Sequence, residues 1–180
     1  MSIPISIDRV ETSRLICERV RDEHFGVLSR MLLDPHVWRW IWPQACPPTD
    51  QDLRESLKDK LEHWDKYGFG MWLLTDKVTG EAVGRGGLQW TYVAGLHEVE
   101  AGWAIVPERW GEGLATELAL ASAEAGFGPL GLREVVAFTL PENVASRRVM
   151  EKAGFAYERD IVHAALTHVL YRRSADGGGT

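Results

Sequence analysis

Apolar positions recur along the chain at two periods, near two for strands and near 3.6 for helices, and the changes between them mark its elements. Leu15 to Val20 reads as a short strand, and Asp22 to Leu33 as an amphipathic helix that stops before Asp34-Pro35. Trp38, Trp40 and Trp42 then alternate until Pro43, after which Cys46-Pro47-Pro48 breaks regular structure. Thr49 or Asp50 caps a helix through about Tyr67, ended by Gly68 and Gly70. Met71 to Thr75 and Ala82 to Trp90 are strands joined by the turn residues Asp76 to Gly80, and Glu98 to Val106 is a further strand after a loop near Ala94-Gly95.

The rhythm changes in the second half. Leu114, Leu118, Ala121 and Ala125 recur at helical spacing until Gly126 and Gly128-Pro129 interrupt them. Val135 to Leu140 is a buried-type strand, Val144 to about Ala153 a short helix capped by Gly154, and Phe155 to Asp160 with Ala164 to Arg172 a closing pair of strands. Hairpins mix with one strand-helix-strand crossover, so the pattern implies an α/β chain of the mixed α+β kind, a mixed sheet with helices on its faces. No internal repeat is visible.

Composition narrows the function classes. A chain of 180 residues, 45% hydrophobic and 26% charged, buries one substantial core without disulfides or metals. A formal charge of −6 argues against a general affinity for nucleic acid or anionic membrane and suits a cationic partner better. Cys17 and Cys46 form no Cys-x-x-Cys or Cys/His cluster and read as reduced cysteines. The N-terminus lacks the basic and apolar regions of a signal peptide, and no apolar run reaches a membrane span, so a cytoplasmic location is expected. The tail Ala175 to Thr180 has little to bury and is expected to be mobile.

The chemistry concentrates in Val106 to Thr116, Val-Pro-Glu-Arg-Trp-Gly-Glu-Gly-Leu-Ala-Thr. A backbone that approaches a diphosphate closely needs small residues, and Gly111, Gly113 and Ala115 stand directly between a strand and an amphipathic helix. The open amides of the helix start face the same place, where the helix dipole favours an anion, and Thr116 adds a hydroxyl. The competing reading is an ordinary tight turn. No Gly-Lys-Ser or Gly-Lys-Thr exists, which excludes a Walker-type loop; a dinucleotide fingerprint would need a third glycine at Thr116 and an early strand-helix-strand unit, leaving Rossmann binding a weak alternative.

Three stretches carry a resemblance to a known family: Glu11-Thr-Ser-Arg-Leu-Ile16, Glu100-Ala-Gly-Trp-Ala-Ile-Val-Pro-Glu-Arg-Trp-Gly-Glu-Gly-Leu-Ala-Thr-Glu117, and Pro141-Glu-Asn-Val-Ala-Ser-Arg-Arg-Val-Met-Glu-Lys-Ala-Gly-Phe155. The chain resembles the GNAT superfamily of N-acetyltransferases, most closely the branch that acetylates ribosomal protein N-termini. Its cofactor motif runs Gln or Arg, two residues, Gly, one residue, Gly or Ala; Gly113 and Ala115 match it, whereas Trp110 takes the leading position. The resemblance implies one N-acetyltransferase domain over residues 1–174, with a central, mostly antiparallel mixed sheet of about seven strands flanked by about four helices.

It also implies acetyl-CoA as cosubstrate and no metal. The amides of Gly111, Glu112, Gly113, Leu114, Ala115 and Thr116 would meet the pyrophosphate beside Trp110, with the pantetheine arm along the edge of Trp103 to Val106. An N–H near Ile105 would face the thioester carbonyl. Transfer would be direct, to a primary amine of a small molecule or a protein N-terminus, and a homodimer is possible. Glu100 is the candidate base, acting through a water, with Glu98 on the same strand face. Ser146 is the candidate proton donor to the departing thiolate; relatives place a tyrosine four residues later, where this chain has Met150. Asn143 caps its helix or bonds the pantetheine amide.

Other signals are weaker. Trp38 to Trp42 would line the acceptor pocket or, with eight tryptophans in the chain, serve core packing. His163 and His168 lie five apart, which on one strand sends them to opposite faces, so no metal site is expected. Arg147, Arg148 and Lys152 would approach a 3'-phosphate, or form a solvated face with Arg147 near Glu151. The competing functional classes are a non-catalytic acyl-CoA-binding module and a Rossmann-like oxidoreductase.

Overall fold

The computed structural model describes residues 6–42 and 47–177. The strands are β1 (Arg9–Glu11), β2 (Leu15–Arg19), β3 (Met71–Asp76), β4 (Ala82–Val93), β5 (Leu96–Ile105), β6 (Glu134–Thr139), β7 (Ala156–His163) and β8 (Leu166–Ser174). The helices are α1 (Phe25–Leu32), α2 (Pro35–Ile41), α3 (Asp50–Tyr67), α4 (Leu114–Phe127) and α5 (Val144–Lys152), with short 3-10 turns over Asp22–His24 and Pro107–Arg109. The strands form one sheet in the order β1-β2-β3-β4-β5-β6-β8-β7. Every neighbouring pair is antiparallel except β5 and β6, which run parallel.

Local chemistry explains the element boundaries. At the start of α3, Thr49 and Asp52 bond each other's main-chain N–H, at 3.2 and 2.7 Å, satisfying two open donors. Gly68 ends that helix in the left-handed conformation, φ 72°. In the β3–β4 turn, Asp76 Oδ1 accepts from the N–H of Val78 and Thr79.

Two expectations are corrected. The aromatic stretch 38–42 belongs to a helix: Asp34 accepts the His36 N–H at 2.8 Å, and Pro35 occupies a first-turn position where no N–H is missed. The helix before Asp34-Pro35 does stop there, at Leu32, and Pro35 then starts α2. Strand β1 was unforeseen because its three residues carry no apolar alternation, and these two elements raise the count to eight strands and five helices among the described residues. The closing strand begins at Leu166; Ala164 and Ala165, at φ 47° and 61°, form the two-residue turn of the β7–β8 hairpin. The expectations for Pro43, Cys46 and Gly178 to Thr180 lie outside the described residues.

Helices cover both faces of the sheet. A Cβ on Gly86 would meet Leu118 of α4 at 2.5 Å, and one on Gly126 of α4 would meet Leu88 and Val135, so α4 is seated directly on β4 and β6. The opposite face of β4 meets α3 through Lys60 and His63. Trp64 and Trp72 are fully buried, each donating its indole N–H to a carbonyl, so both serve the core. Cys17 is buried and free, its thiol pushed up to about 12 by desolvation and by the Glu117 charge. No helix among the described residues is long and apolar enough to cross a membrane.

Candidate active site

The two central parallel strands diverge. β5 pairs with β6 only at Glu100 and Val136, so β5 from Ala101 to Ile105 runs beside a widening gap. Hydrogen bonding alternates along an antiparallel pair, and Val106 donates its N–H to Val83 of β4 at 2.9 Å. The adjacent Ile105 therefore directs its N–H and C=O away from β4, into the gap. The Ile105 carbonyl accepts the Trp110 indole N–H at 2.7 Å, which confirms that direction.

Beyond the gap lies an open turn. Gly111 and Gly113 both adopt φ 82°, a conformation that L side chains rarely hold, and a Cβ on Gly111 would have no protein atom within 4 Å. Gly113 caps α4 without any side-chain hydrogen bond, and the first intrahelical bond there is Glu117 N–H to Gly113 O. Among the described residues the amides of 111–116 have no acceptor. Open amides, a helix start and free space beside a glycine together fit a diphosphate.

The turn is held from three sides. Arg109 reaches Asp76 at 2.8 Å and Glu112 at 2.9 Å. Arg14 donates to the Glu112 carbonyl at 2.8 Å and pairs with Glu117 at 2.7 Å, while Thr12, Ser13 and the Arg14 N–H also bond Glu117. Asp76 is held down to about 2 by the Thr79 N–H, Arg109 and the Val78 N–H. Arg14, Glu117, Asp76 and Arg109 were not singled out from sequence. Arg14, Arg109 and Glu117 do fall within the resembling stretches, which was the available signal.

Glu100 sits where β5 and β6 part, on the α3 face, partly buried. Its Oε2 accepts from Gln89 Nε2 at 3.0 Å, and Gln89 Oε1 accepts from Lys60 Nζ at 2.8 Å. Burial pushes the Glu100 carboxyl up, against the opposing pull of Gln89, Lys60 and Arg85. Glu98 shares the face but is tied at 2.9 Å to Arg172, which also binds Glu134 and Glu158. Sequence reasoning had no means to foresee the relay, since Lys60 and Gln89 lie 29 residues apart.

Asn143 and Ser146 stand at the far side of the gap. Because β5 and β6 are parallel, their C-terminal ends, leading into 106–113 and 140–146, open on the same sheet edge. Asn143 accepts the Ser146 N–H at 3.2 Å and donates to Thr139 at 3.0 Å, so its side chain is committed to capping α5. The Ser146 hydroxyl makes no hydrogen bond among the described residues, and Met150 is buried in the core. Two minor expectations change. His163 and His168 lie on different strands and approach to 5.6 Å, so alternation along one strand does not apply. Arg147 meets Glu151 only through the Tyr171 hydroxyl, which bonds both. No group of three or more His, Cys, Asp or Glu side chains among the described residues is arranged to hold a metal ion.

A family model described as an acetyltransferase (GNAT) domain matches residues 14–156. The uncharacterized protein YkkB of Bacillus subtilis (strain 168) is 33% identical over 90% of this chain and 92% of its own length. The FsC-acetyl coenzyme A-N(2)-transacetylase of Aspergillus fumigatus is 33% identical over 82% of this chain and 65% of that protein. A solved structure from Bordetella pertussis described as a GnaT-family acetyltransferase is similar with a TM-score of 0.79 at 26% identity, covering 92% of this chain and 99% of that one.

Proposed function

Because the chain belongs to the GNAT acetyltransferase family and uses acetyl-CoA as its acetyl donor, we propose that it acetylates a primary amine directly at the β5–β6 gap. The acceptor is a small-molecule amine or a protein N-terminus. The observation that carries this reading is the gap itself, with the edge of β5 facing it from Glu100 towards a helix start that has no side-chain cap. The relative named as an N(2)-transacetylase fits nitrogen as the accepting atom.

Acetyl-CoA supplies an acetyl group already activated as a thioester. The amides of Gly111, Glu112, Gly113, Leu114, Ala115 and Thr116 hold the pyrophosphate, with Val106 and Trp110 shaping the approach. The edge of β5 offers N–H and C=O groups to the amide-bearing arm as a neighbouring strand would. The Ile105 N–H lies on that edge, placed to stabilise negative charge developing on the carbonyl oxygen.

The amine attacks only when neutral. An α-amino group, with a pKa of about 8, loses its proton more readily than a lysine, at about 10.4. Glu100 takes that proton, directly or through a water, and its upward-shifted carboxyl lies closer to the working pH than an exposed glutamate. The Ser146 hydroxyl, free of protein partners, donates to the departing sulfur. Asn143 sets the position of Ser146 by fixing the first turn of α5.

The test is release of free thiol from acetyl-CoA over a panel of amino acids, peptides, polyamines and aminoglycosides. Release with at least one class, abolished in Gly113→Val, is expected. Tight coenzyme A binding with no release across the panel would favour a non-catalytic acyl-CoA-binding module instead.

A further inference from the structure

We propose that the acceptor carries a carboxylate near its amine, and that Arg85 and Lys60 hold that carboxylate in the cavity beneath α1 and α3. The inference rests on the acetyl-transfer reading and narrows its acceptor. Arg85 and Lys60 line a cavity of about 20 Å³ whose other walls are mostly apolar, among them Val20, Leu28, Leu57 and Met71. That space suits one small polar group rather than a whole side chain.

Among the described residues neither cation bonds a carboxylate directly. Lys60 spends one donor on Gln89, and neither it nor Arg85 forms an ion pair among the described residues. Arg85 donates no hydrogen bond among those residues, and its Nε is fully buried. The residues outside the described set include no Asp or Glu. The carboxylates that act on them are Glu100, which bonds Gln89 rather than either cation, and, for Lys60, the exposed Asp59. Burial lowers both, Arg85 to about 10, with only Glu100 and, for Lys60, Asp59 pulling the other way. An unpaired guanidinium is costly to bury, and its planar fork of five donors matches a carboxylate in bidentate fashion.

The placement relates this pair to the reacting amine. Arg85 stands opposite Ala104 on the sheet face that also carries Glu100; the pair Gly87 and Gly102 lies between them, and the Met71 methyl covers that step, 3.2 Å from where a Cβ on Gly102 would sit. An amine at Glu100 and an anion at Arg85 would thus lie on either side of the Met71 side chain. The overall charge of −6 points to a cationic partner, but surface charges are screened within about 8–10 Å, so the cavity lining, with two cations and no carboxylate, decides.

Thiol release is measured on two matched acceptor pairs, leucine against leucinamide and Ala-Asp-amide against Ala-Asn-amide, in the wild type and in Arg85→Gln. The wild-type ratio of kcat/KM, carboxylate over amide, is expected to fall at least tenfold in Arg85→Gln for one pair or both, with Arg85→Lys between. Comparing ratios cancels differences in amine pKa and any general loss of fold. An effect confined to the leucine pair identifies free amino acids as the source, and one confined to the dipeptides identifies peptide N-termini. A ratio that changes less than tenfold in both pairs overturns the proposal. If the wild type turns over none of the four, the wider amine panel tests the transfer reading separately, and calorimetry with coenzyme A present decides the site. Tighter binding of a carboxylate member, lost in Arg85→Gln, supports it, and equal or absent binding overturns it.

Discussion

Replacing Glu117 by alanine removes the acceptor that ties the N-terminal Thr12-Ser13-Arg14 segment to the first turn of α4. Four donors converge on this carboxylate: the Thr12 hydroxyl, the Ser13 hydroxyl at 3.0 Å, the Arg14 N–H at 2.8 Å and the Arg14 Nε at 2.7 Å. The Glu117 side chain is 14% exposed and that of Arg14 45%, so the guanidinium and Ser13 rehydrate and their loss costs little. Thr12 and the Arg14 N–H lose a charged acceptor, at about 1.5 kcal/mol or more each, giving about 3 kcal/mol in all. For a chain of this size the melting temperature should fall by about 6–12 °C. Arg14 also holds the Glu112 carbonyl at 2.8 Å, so the turn proposed to meet the pyrophosphate loosens as well. The KM for acetyl-CoA should therefore rise severalfold while kcat changes less, with Glu117→Gln intermediate. Thermal unfolding and steady-state kinetics read the two effects. Unchanged acetyl-CoA affinity would refute the claim that this clamp shapes the cradle, and a Tm shift below about 2 °C would refute the bonding estimate. Burial alone raises the Glu117 pKa, but the bonds from Thr12, Arg14 and Ser13 outweigh it and hold it below 4.5. This contribution is accordingly full above pH 4.5 and lost as pH falls through the lower folded value.

Three further outcomes are expected. Glu100→Gln should lower kcat/KM by about 10²–10⁴-fold and flatten the acid limb of the rate–pH profile. Its folded pKa is raised, so ionised Glu100 costs stability once pH exceeds that value, and the variant should melt higher than wild type at pH 8; a lower melting point would contradict the burial argument. Asp76, held near 2 in the fold, supports stability above pH 3.8 that is lost as pH falls toward 2. Asp76→Asn should melt lower than wild type at pH 6, with a gap that narrows between pH 4 and 2 in calorimetric scans. In the β7–β8 turn, Ala164 and Ala165 both hold positive φ, so Ala164→Asn with Ala165→Gly should stabilise by about 1–2 kcal/mol in urea unfolding, and no gain would argue against the left-handed turn.

Much of the molecule was legible along the chain because its signals are local. The Thr49 cap and Gly68 stop of α3, the Asp76–Gly80 turn and the left-handed glycines before α4 each act within a few residues. The same reasoning failed at 35–41, where alternating tryptophans matched a strand period as well as a helix period. There the capping bond from Asp34 and burial of Val37 selected the helix. The three residues of β1 bear no pattern at all; their pairing with β2 selects them.

The cradle was thus determined by sequence, since the geometry of a glycine turn before a helix depends on the residues that form it. Tertiary structure alone decided what surrounds it. Arg14 and Glu117 meet across 103 positions, Lys60 reaches Gln89 across 29, and β5 parts from β6 after a single paired position. Which strands become neighbours, and where two of them separate, follows from packing α3 and α4 on opposite faces of one sheet. A one-dimensional pattern of apolar residues marks a buried face but not the partner that covers it, and so it marked the open glycine turn without showing the charges around Glu100.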